Sequence, residues 1–277
     1  MKGGLTSNQL KWIALAAMTA DHFIELFKNL ISTNLFIKIV ELFGRIAAPL
    51  FLFVLTESLH YVKNRANYVM RLYFAGISVA LFTIVTNLLL GNILIYEPGN
   101  IMFSYFYIGG CICLIEKFIR AIKEKSLEKT IVAIIYCIVL AGLQILILKA
   151  DTIIGFISDL EIRKLTLKVI NALFPSVFTI EYSIIFVIMG VLIYFSPNKI
   201  MKCGMVTIFS MLAYWGANEH INFWPCNDFF FEEQYLMIFA IPFIFMYNKK
   251  EGKKCKMFFY IYYPIHRYIL ALISELI

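Results

Sequence analysis

The stretch LKWIALAAMTADHFIELFKNL, residues 10–30, decides the fold because it is long and apolar enough to cross a bilayer. A transmembrane helix needs about 20 predominantly apolar residues. Asp21 and His22 lie in the middle of this stretch. Ionisable side chains are costly at that depth and by default indicate a functional site. We therefore predict that Asp21 and His22 form the centre of an intramembrane reaction site.

The composition of the whole chain is that of a membrane protein. Of the 277 residues, 61% are hydrophobic and 16% are charged, and the mean hydropathy is +0.80. Soluble domains carry about 25% charged residues. No segment is polar enough to form a soluble core of its own, so we predict a single transmembrane domain over residues 1–277. The six cysteines are scattered and show no disulfide or metal-binding spacing.

Apolar runs separated by charged or Pro/Gly-marked connections predict an all-α bundle of about nine transmembrane helices. The predicted spans are residues 10–31, 39–61, 68–90, 101–119, 130–149, 178–195, 201–217, 234–248 and 257–276. Most of the 25 Lys and Arg residues lie at the N-terminus and in the connection after every second span. Such basic connections face the cytoplasm, so we expect a multi-pass protein with a cytoplasmic N-terminus.

The connections assigned to the outer face differ in character from the basic ones. Residues 150–177 form a long connection of mixed charge, and residues 217–234 are acidic and aromatic without a basic residue. An acidic outer mouth would attract a cationic acceptor such as an amine. A solvated loop with interfacial aromatic side chains explains the same composition equally well.

The first predicted helix carries a polar stripe on its outer half. His22, Glu25 and Asn29 share one face, with Asp21 beside them, whereas residues 13–18 are apolar. This pattern predicts a water-filled cavity that opens toward the outer face. Hydrogen bonding between neighbouring helices is the alternative explanation for the stripe.

Two other predicted spans place ionisable groups near the same depth. Arg45, in the outer third of the second span, is positioned to meet Asp21, either as a structural ion pair or to stabilise charge in a reaction. His266 lies near the middle of the last span, at the depth estimated for His22. These positions make Asp21, His22, Arg45 and His266 the candidate catalytic residues.

A second group of polar residues is predicted at the cytoplasmic face. Basic clusters of this kind bind anionic lipid or the phosphates of a nucleotide-bearing donor, and both interpretations remain open. The candidate ligand-binding residues of this mouth are Glu57, Lys63, Arg65, Tyr68, Arg71, Lys250 and Lys253.

The sequence lacks the motifs that indicate several other chemistries. His22 and His266 are not accompanied by HxxH, HExxH or Cys/His spacing, so we expect no metal. The sequence contains no P-loop, dinucleotide-binding turn or GxSxG elbow, which disfavours ATP-driven transport and serine hydrolase chemistry.

Several stretches together resemble the TraX family, integral membrane proteins named for the conjugative-pilin N-acetyltransferase. Residues 10–23, with Asp-His, resemble the opening span of that family. Residues 44–72 (GRIAAPLF…YVMRL) and 100–110 (NIMFSYFYIGG) resemble its following motifs. Residues 246–254 (MYNKKEGKK) and 258–270 (FFYIYYPIHRYIL) resemble its Tyr-Asn-Gly-Lys loop and its Tyr-Pro-x-His ending.

The resemblance implies an acetyl-CoA-dependent acetyltransferase of the plasma membrane, related to the wider membrane acyltransferases. The matching polar residues are Asp21, His22, Arg45, Glu57, Arg71 and His266. The chain departs from the family pattern at Lys249, where Gly is usual, and at Ser58 and Ser104. Residues 117–176 match no family motif.

The leading hypothesis is N-acetylation of an exported peptide or another amine. Acetyl-CoA would bind the cytoplasmic mouth, and His22 would act as general base on the amine. Asp21, or an acid on another span, would orient the His22 ring, and Arg45 or His266 would stabilise the oxyanion. Direct transfer and a two-step path through acetyl-imidazole both remain open.

Two alternatives are retained. One is O-acetylation of a cell-envelope glycan, and the other is a transporter in which Asp21 and His22 relay protons. The expected partners are the lipid bilayer and a peptide or small-molecule amine, without nucleic acid. The sequence sets neither the acceptor nor the oligomeric state.

Overall fold

The computed structural model describes residues 3–27, 34–90, 100–219, 233–253 and 256–276, and its regular elements are helices. This confirms the predicted all-α fold. The helices are α1 (Ser7–Phe27), α2 (Asn34–Gly44), α3 (Ala47–Tyr61), α4 (Arg65–Leu90), α5 (Ile101–Lys123), α6 (Leu127–Leu148), α7 (Ala150–Ile153), α8 (Leu160–Leu173), α9 (Ser183–Phe195), α10 (Lys199–Asn218), a 3₁₀ helix (Gln234–Ala240), α11 (Ile241–Met246) and α12 (Lys256–Leu276).

Side-chain caps explain where several of these helices begin. At the start of α1, Thr6 and Gln9 form a reciprocal pair in which the Gln9 N–H donates to Thr6 Oγ1 at 3.2 Å and the Thr6 N–H donates to Gln9 Oε1 at 2.8 Å. This is a capping box. Other caps are Asn100 for α5, Ser126 for α6, Asp159 for α8 and Asn198 for α10.

Five helical stretches of the described residues are long and apolar enough to cross a membrane, which identifies the chain as a membrane protein. They are Leu35–Tyr61, Arg65–Leu89, Ile101–Lys123, Leu127–Leu148 and Lys199–Asn218. Large apolar side chains of α6 such as Ile138 and Val139 are more than half exposed, as expected for a surface that contacts lipid.

The predicted number of nine spans is not confirmed. The predicted spans 178–195 and 234–248 correspond to shorter apolar helices, Ser183–Phe195 and Gln234–Met246. A helix of 13 residues such as Ser183–Phe195 is about 20 Å long, whereas the hydrocarbon core is about 30 Å thick. Neither α1 nor α12 is among the five stretches.

The second predicted span, residues 39–61, is divided into α2 and α3. The helix is interrupted by a turn at Arg45 and Ile46, directly after Gly44. Pro49 then lies in the first turn of α3, where its missing N–H costs no helical hydrogen bond. The division places Arg45 at a turn in the middle of the stretch Leu35–Tyr61.

Helix α3 forms the centre of the bundle. Leu50, Leu52 and Leu59 are fully buried, and α3 packs against α1, α5 and α9. Gly190 of α9 permits close packing, since a Cβ atom there would lie 2.8 Å from Leu52 and 2.9 Å from Ile108. Tight interhelical packing at small residues is typical of membrane bundles.

The connections predicted to be cytoplasmic meet at one end of the bundle, which we call the basic end. Leu5 forms a backbone bridge with Tyr247, and the Leu5 N–H donates to the Met246 carbonyl at 2.8 Å. Lys199 Nζ donates to the Phe245 carbonyl at 3.3 Å. The N-terminus and two predicted cytoplasmic connections therefore share one face. Their cytoplasmic orientation and the single-domain assignment remain predictions.

The predicted outer connection, residues 150–177, is largely helical. It contains α7 and α8, and α8 packs along α4, where Tyr73 Oη donates to the Leu173 carbonyl at 2.5 Å. Gln144 fixes the following segment, because its Oε1 accepts from the Val177 N–H at 2.8 Å and its Nε2 donates to Tyr107 Oη at 3.0 Å. Asn29 and most of the acidic connection 217–234 lie outside the described residues.

The buried ion pair between Glu57 and Lys202 provides a test of the packing. Glu57 is 9% exposed and Lys202 is 7% exposed. We expect Lys202→Met to lower the free energy of unfolding by about 3–5 kcal/mol, because it leaves a buried carboxylate without its cation. Glu57→Leu/Lys202→Met should recover most of that loss, as measured by thermal unfolding in detergent.

Lys164→Met is the matched control, since Lys164 makes an exposed pair with Glu161. It should change stability by at most about 1 kcal/mol. Equal losses for the two lysine variants would contradict the buried pair.

Candidate functional site

A hydrogen-bonded pair of histidines joins α1 to α12. His22 Nδ1 lies 2.7 Å from His266 Nε2, and the two rings stack with centroids 4.9 Å apart. His266 is 4% exposed, whereas His22 is only partly buried. The two residues that the sequence placed at one depth are therefore in direct contact.

The hydrogen bonds of the pair assign the proton on each neutral ring. His266 Nδ1 lies 2.9 Å from the Tyr262 carbonyl oxygen, which can only accept, so this nitrogen carries the proton. His266 Nε2 then accepts from His22 Nδ1–H. The remaining nitrogen, His22 Nε2, keeps its lone pair and can take a proton from a substrate. This assignment follows from the hydrogen-bond network.

Asp21 and Arg45 are brought together as the sequence predicted. Arg45 Nη1 lies 3.9 Å from Asp21 Oδ2, and both side chains are mostly buried. The ring of His22 is oriented by His266, a role that the sequence interpretation assigned to Asp21 or to an acid on another span. The sequence predicted that Arg45 or His266 would stabilise an oxyanion. Because His266 Nε2 is a hydrogen-bond acceptor in this arrangement, Arg45 is the one of the two that can face a developing negative charge.

A second ion pair also joins α12 to α1, between the residue after His266 and a residue one turn after His22. Arg267 Nη2 is 3.4 Å from Glu25 Oε2, which connects α12 to α1 just beyond the histidines. Tyr262, one turn before His266, adds a further contact between α12 and α1, because its Oη lies 2.8 Å from Thr19 Oγ1. These contacts hold the two histidine-bearing helices in register.

Glu181 was missed by the sequence interpretation, although it belongs to the buried polar cluster. Tyr263 Oη lies 3.5 Å from Glu181 Oε2 and accepts from the Ile101 N–H at 3.3 Å. The Tyr263 ring also contacts the His266 ring, with centroids 6.2 Å apart. Glu181 is the acidic residue of the predicted span 178–195, but it lies near the start of that span, so a criterion based on mid-span depth did not select it.

The backbone beside Glu181 is strained. Tyr182 and Ser183 have φ values of 59° and 56°, a region that costs non-glycine residues about 1–3 kcal/mol each. Ser104 Oγ donates to the Glu181 carbonyl at 2.8 Å and helps to fix this turn. Strained, buried backbone of this kind clusters at functional sites.

The residues predicted to bind a ligand at the basic end fall into two groups. Glu57 pairs with Lys202, and Arg65 pairs with Glu116, so both are engaged inside the protein. Arg71 lies over the Tyr68 ring, 5.7 Å from its centroid. The remaining cations are exposed and can meet phosphates, namely Lys63, Arg71, Lys250 and Lys253.

The loop that carries Lys250 and Lys253 is fixed to the N-terminus of α1. The Ser7 N–H donates to the Lys250 carbonyl at 2.8 Å, and the Asn8 N–H donates to the Glu251 carbonyl at 3.0 Å. Lys249, which stands where the TraX pattern usually has Gly, has a φ of 64°. The turn therefore adopts the left-handed geometry that glycine favours, with a lysine in that position.

Within the described residues, no group of three or more His, Cys, Asp or Glu side chains is arranged to hold a metal ion. The histidines at the site are instead bonded to each other.

The comparison with known families agrees with the motifs at this site. A family model described as TraX protein matches residues 6–218 of the chain. The matched range contains Asp21, His22 and Arg45, and His266 lies beyond it. No curated protein and no solved structure matches the chain.

Gly44 provides a test of the site geometry. A Cβ atom at this position would overlap the Asp21 side chain, so α1 and α2 can approach only if residue 44 is glycine. We expect Gly44→Val to lower stability by about 1–3 kcal/mol through overpacking and to separate Asp21 from Arg45. Gly142→Val is the control, because nothing lies within 4 Å of a Cβ there. Equal thermal stabilities of the two variants would contradict the close approach.

Proposed function

Because the chain belongs to the TraX family, we propose that it is a membrane acetyltransferase that uses acetyl-CoA to acetylate an amine of an exported peptide or protein. The observation that carries the proposal is the lone pair on His22 Nε2, which the contact with His266 leaves for a substrate. We place the protein in the plasma membrane, with the basic end in the cytoplasm.

In this proposal His22 is the general base. The acceptor amine attacks the thioester carbonyl while His22 Nε2 removes its proton; the C–S bond then breaks, and the His22 imidazolium returns the proton to the sulfur, so that CoA leaves as the thiol. The bond from His22 Nδ1–H to His266 distributes the charge that the ring acquires. The same lone pair would attack the carbonyl in a two-step path through acetyl-imidazole, which stays open as an alternative.

Arg45 is the proposed electrostatic partner of the reaction. Its guanidinium is 16% exposed and forms an ion pair with Asp21, the residue next to His22. A cation in this water-poor environment stabilises the negative oxygen of a tetrahedral intermediate more than it would in water. Asp21 in turn holds Arg45 in place and balances its charge.

The basic end is the proposed binding site for the phosphates of acetyl-CoA. The exposed cations proposed for this role are Lys63 before α4, Arg71 in α4, and Lys250 and Lys253 in the connection before α12. Lysine and arginine are the usual phosphate-binding side chains. Glu57 and Arg65 contribute by fixing α3 and α4 through their ion pairs with Lys202 and Glu116 rather than by direct contact.

An apolar groove runs along α1 beside the proposed site. The groove has a volume of about 600 Å³ and is lined by α1, α2 and α12. Along α1 it extends from Trp12 to Ile24, and it includes Tyr262, whose carbonyl bonds His266. We propose that the pantetheine arm of acetyl-CoA lies in this groove.

The alternatives predict different outcomes. O-acetylation of a glycan would use the same donor and base with a hydroxyl acceptor. A transporter would use Asp21 and His22 as a proton relay and would consume no thioester.

The test is release of free CoA from acetyl-CoA by the purified full-length protein in detergent, with and without short peptides that have free N-termini. We expect peptide-stimulated release by the wild type and a loss of at least about 100-fold in His22→Ala, since general base catalysis contributes about 10²–10⁴-fold. Lys164→Ala is the control, because Lys164 is exposed on α8 and pairs with Glu161, and α8 contributes no residue to the proposed site. Absence of thioester turnover in monodisperse wild-type protein would contradict the proposal.

A further inference from the structure

Two stacked aromatic rings at the basic end have no part in the mechanism proposed above. The ring of His60, at the end of α3, lies almost parallel to the ring of Tyr194, with centroids 4.1 Å apart and an angle of 8° between the planes. We call these two rings the aromatic platform. Tyr194 is 4% exposed, whereas His60 is exposed. The platform therefore has one buried ring and one ring at the surface.

Polar contacts hold the buried ring of the platform in place. Tyr194 Oη donates to Glu116 Oε1 at 2.6 Å. The same carboxylate pairs with Arg65, whose guanidinium carbon lies 5.9 Å from the centroid of the Tyr194 ring. Arg65 Nε also donates to the Leu59 carbonyl at 2.8 Å, which connects these contacts to α3. The platform is thus preorganised, and a preorganised surface loses little conformational entropy when a ligand binds.

One face of the His60 ring is open to a further planar group. Within the described part of the chain, Tyr194 is the ring that stacks on His60. An aromatic ring stacks through either of its two faces, and Tyr194 occupies one of them. Because His60 is exposed, its other face is accessible to a ligand.

The exposed charge near the platform is positive. Lys63 follows His60 closely in the connection to α4 and is exposed, and Arg71 is exposed in α4 itself. The carboxylate of Glu116 is balanced by its ion pair with Arg65. This surface would therefore attract an anion that is attached to a planar group. Nucleotides have this combination, a flat base linked to phosphates, and lysine and arginine are the usual phosphate-binding side chains.

We propose that the aromatic platform binds the adenine ring of acetyl-CoA, with the base stacked on the exposed face of His60 and the phosphates near Lys63 and Arg71. This inference rests on the proposed function and assigns a site to the part of the donor that does not react. Stacking on an aromatic side chain strengthens the binding of a base about tenfold. A phospholipid headgroup shares the phosphate but has no base, so its binding would not depend on His60.

The first test compares acetyl-CoA with acetylated phosphopantetheine, which has the same thioester arm without the nucleotide. For acetyl-CoA, His60→Ala should raise KM about tenfold and leave kcat unchanged, because the base contributes equally to binding in the ground state and in the transition state. For acetylated phosphopantetheine, the variant should match the wild type. His60→Trp should restore the KM for acetyl-CoA, since indole is a larger stacking surface.

Tyr61→Ala is the matched control. Tyr61 is the next residue of α3 and is 66% exposed, but its side chain is rotated by about 100° around the helix from that of His60. This variant should keep the wild-type KM for acetyl-CoA. Equal increases in KM for Tyr61→Ala and His60→Ala would overturn the inference, and so would an increase in His60→Ala for both donors.

A binding measurement separates this inference from the proposed function. Saturation transfer difference NMR of ADP with the purified full-length protein in detergent should show transfer to the adenine protons. Titration should give about tenfold weaker ADP binding to His60→Ala than to wild type or Tyr61→Ala, whereas pyrophosphate, which has no base, should bind all three proteins equally.

The two failures give different results. If the wild type consumes no thioester, the proposed function fails, and the dependence of ADP binding on His60 still decides whether the platform binds a base. Equal ADP binding by the three proteins, or the absence of ADP binding to the wild type, would overturn the inference.

Discussion

The hydrogen bond between His22 and His266 is the interaction on which the functional account depends. It joins the first and last described helices, and its direction is fixed by the Tyr262 carbonyl, which holds the proton of His266 Nδ1. A single histidine in this position could adopt either tautomer. The pair selects the tautomer in which the outermost nitrogen, His22 Nε2, is basic.

The other helices hold α1 and α12 together and leave exposed cations at the basic end of the bundle. Gly44 allows α2 to approach α1 closely enough for Arg45 to reach Asp21. At the basic end, buried pairs such as Glu57 with Lys202 fix the helices and leave other cations exposed.

The parts of the site that depend on helix periodicity and depth in the membrane could be predicted from the sequence. Asp21 with Arg45, and His22 with His266, could be placed at one level because a helix rises by a fixed amount per residue. Glu181 and α8 were missed because the chain around them departs from continuous apolar helices. The partners of Glu57 and Arg65 could not be predicted either, since Lys202 and Glu116 lie on other helices and their proximity is set by packing.

The most direct test of the account is the tautomer of His22 in the folded protein, measured by ¹⁵N NMR with labelled histidine. The chain has only four histidines, so single substitutions assign each signal. The account predicts that His22 carries its proton on Nδ1 at neutral pH and that His266→Phe removes this preference. A proton on His22 Nε2, or a His22 spectrum unchanged by His266→Phe, would contradict it.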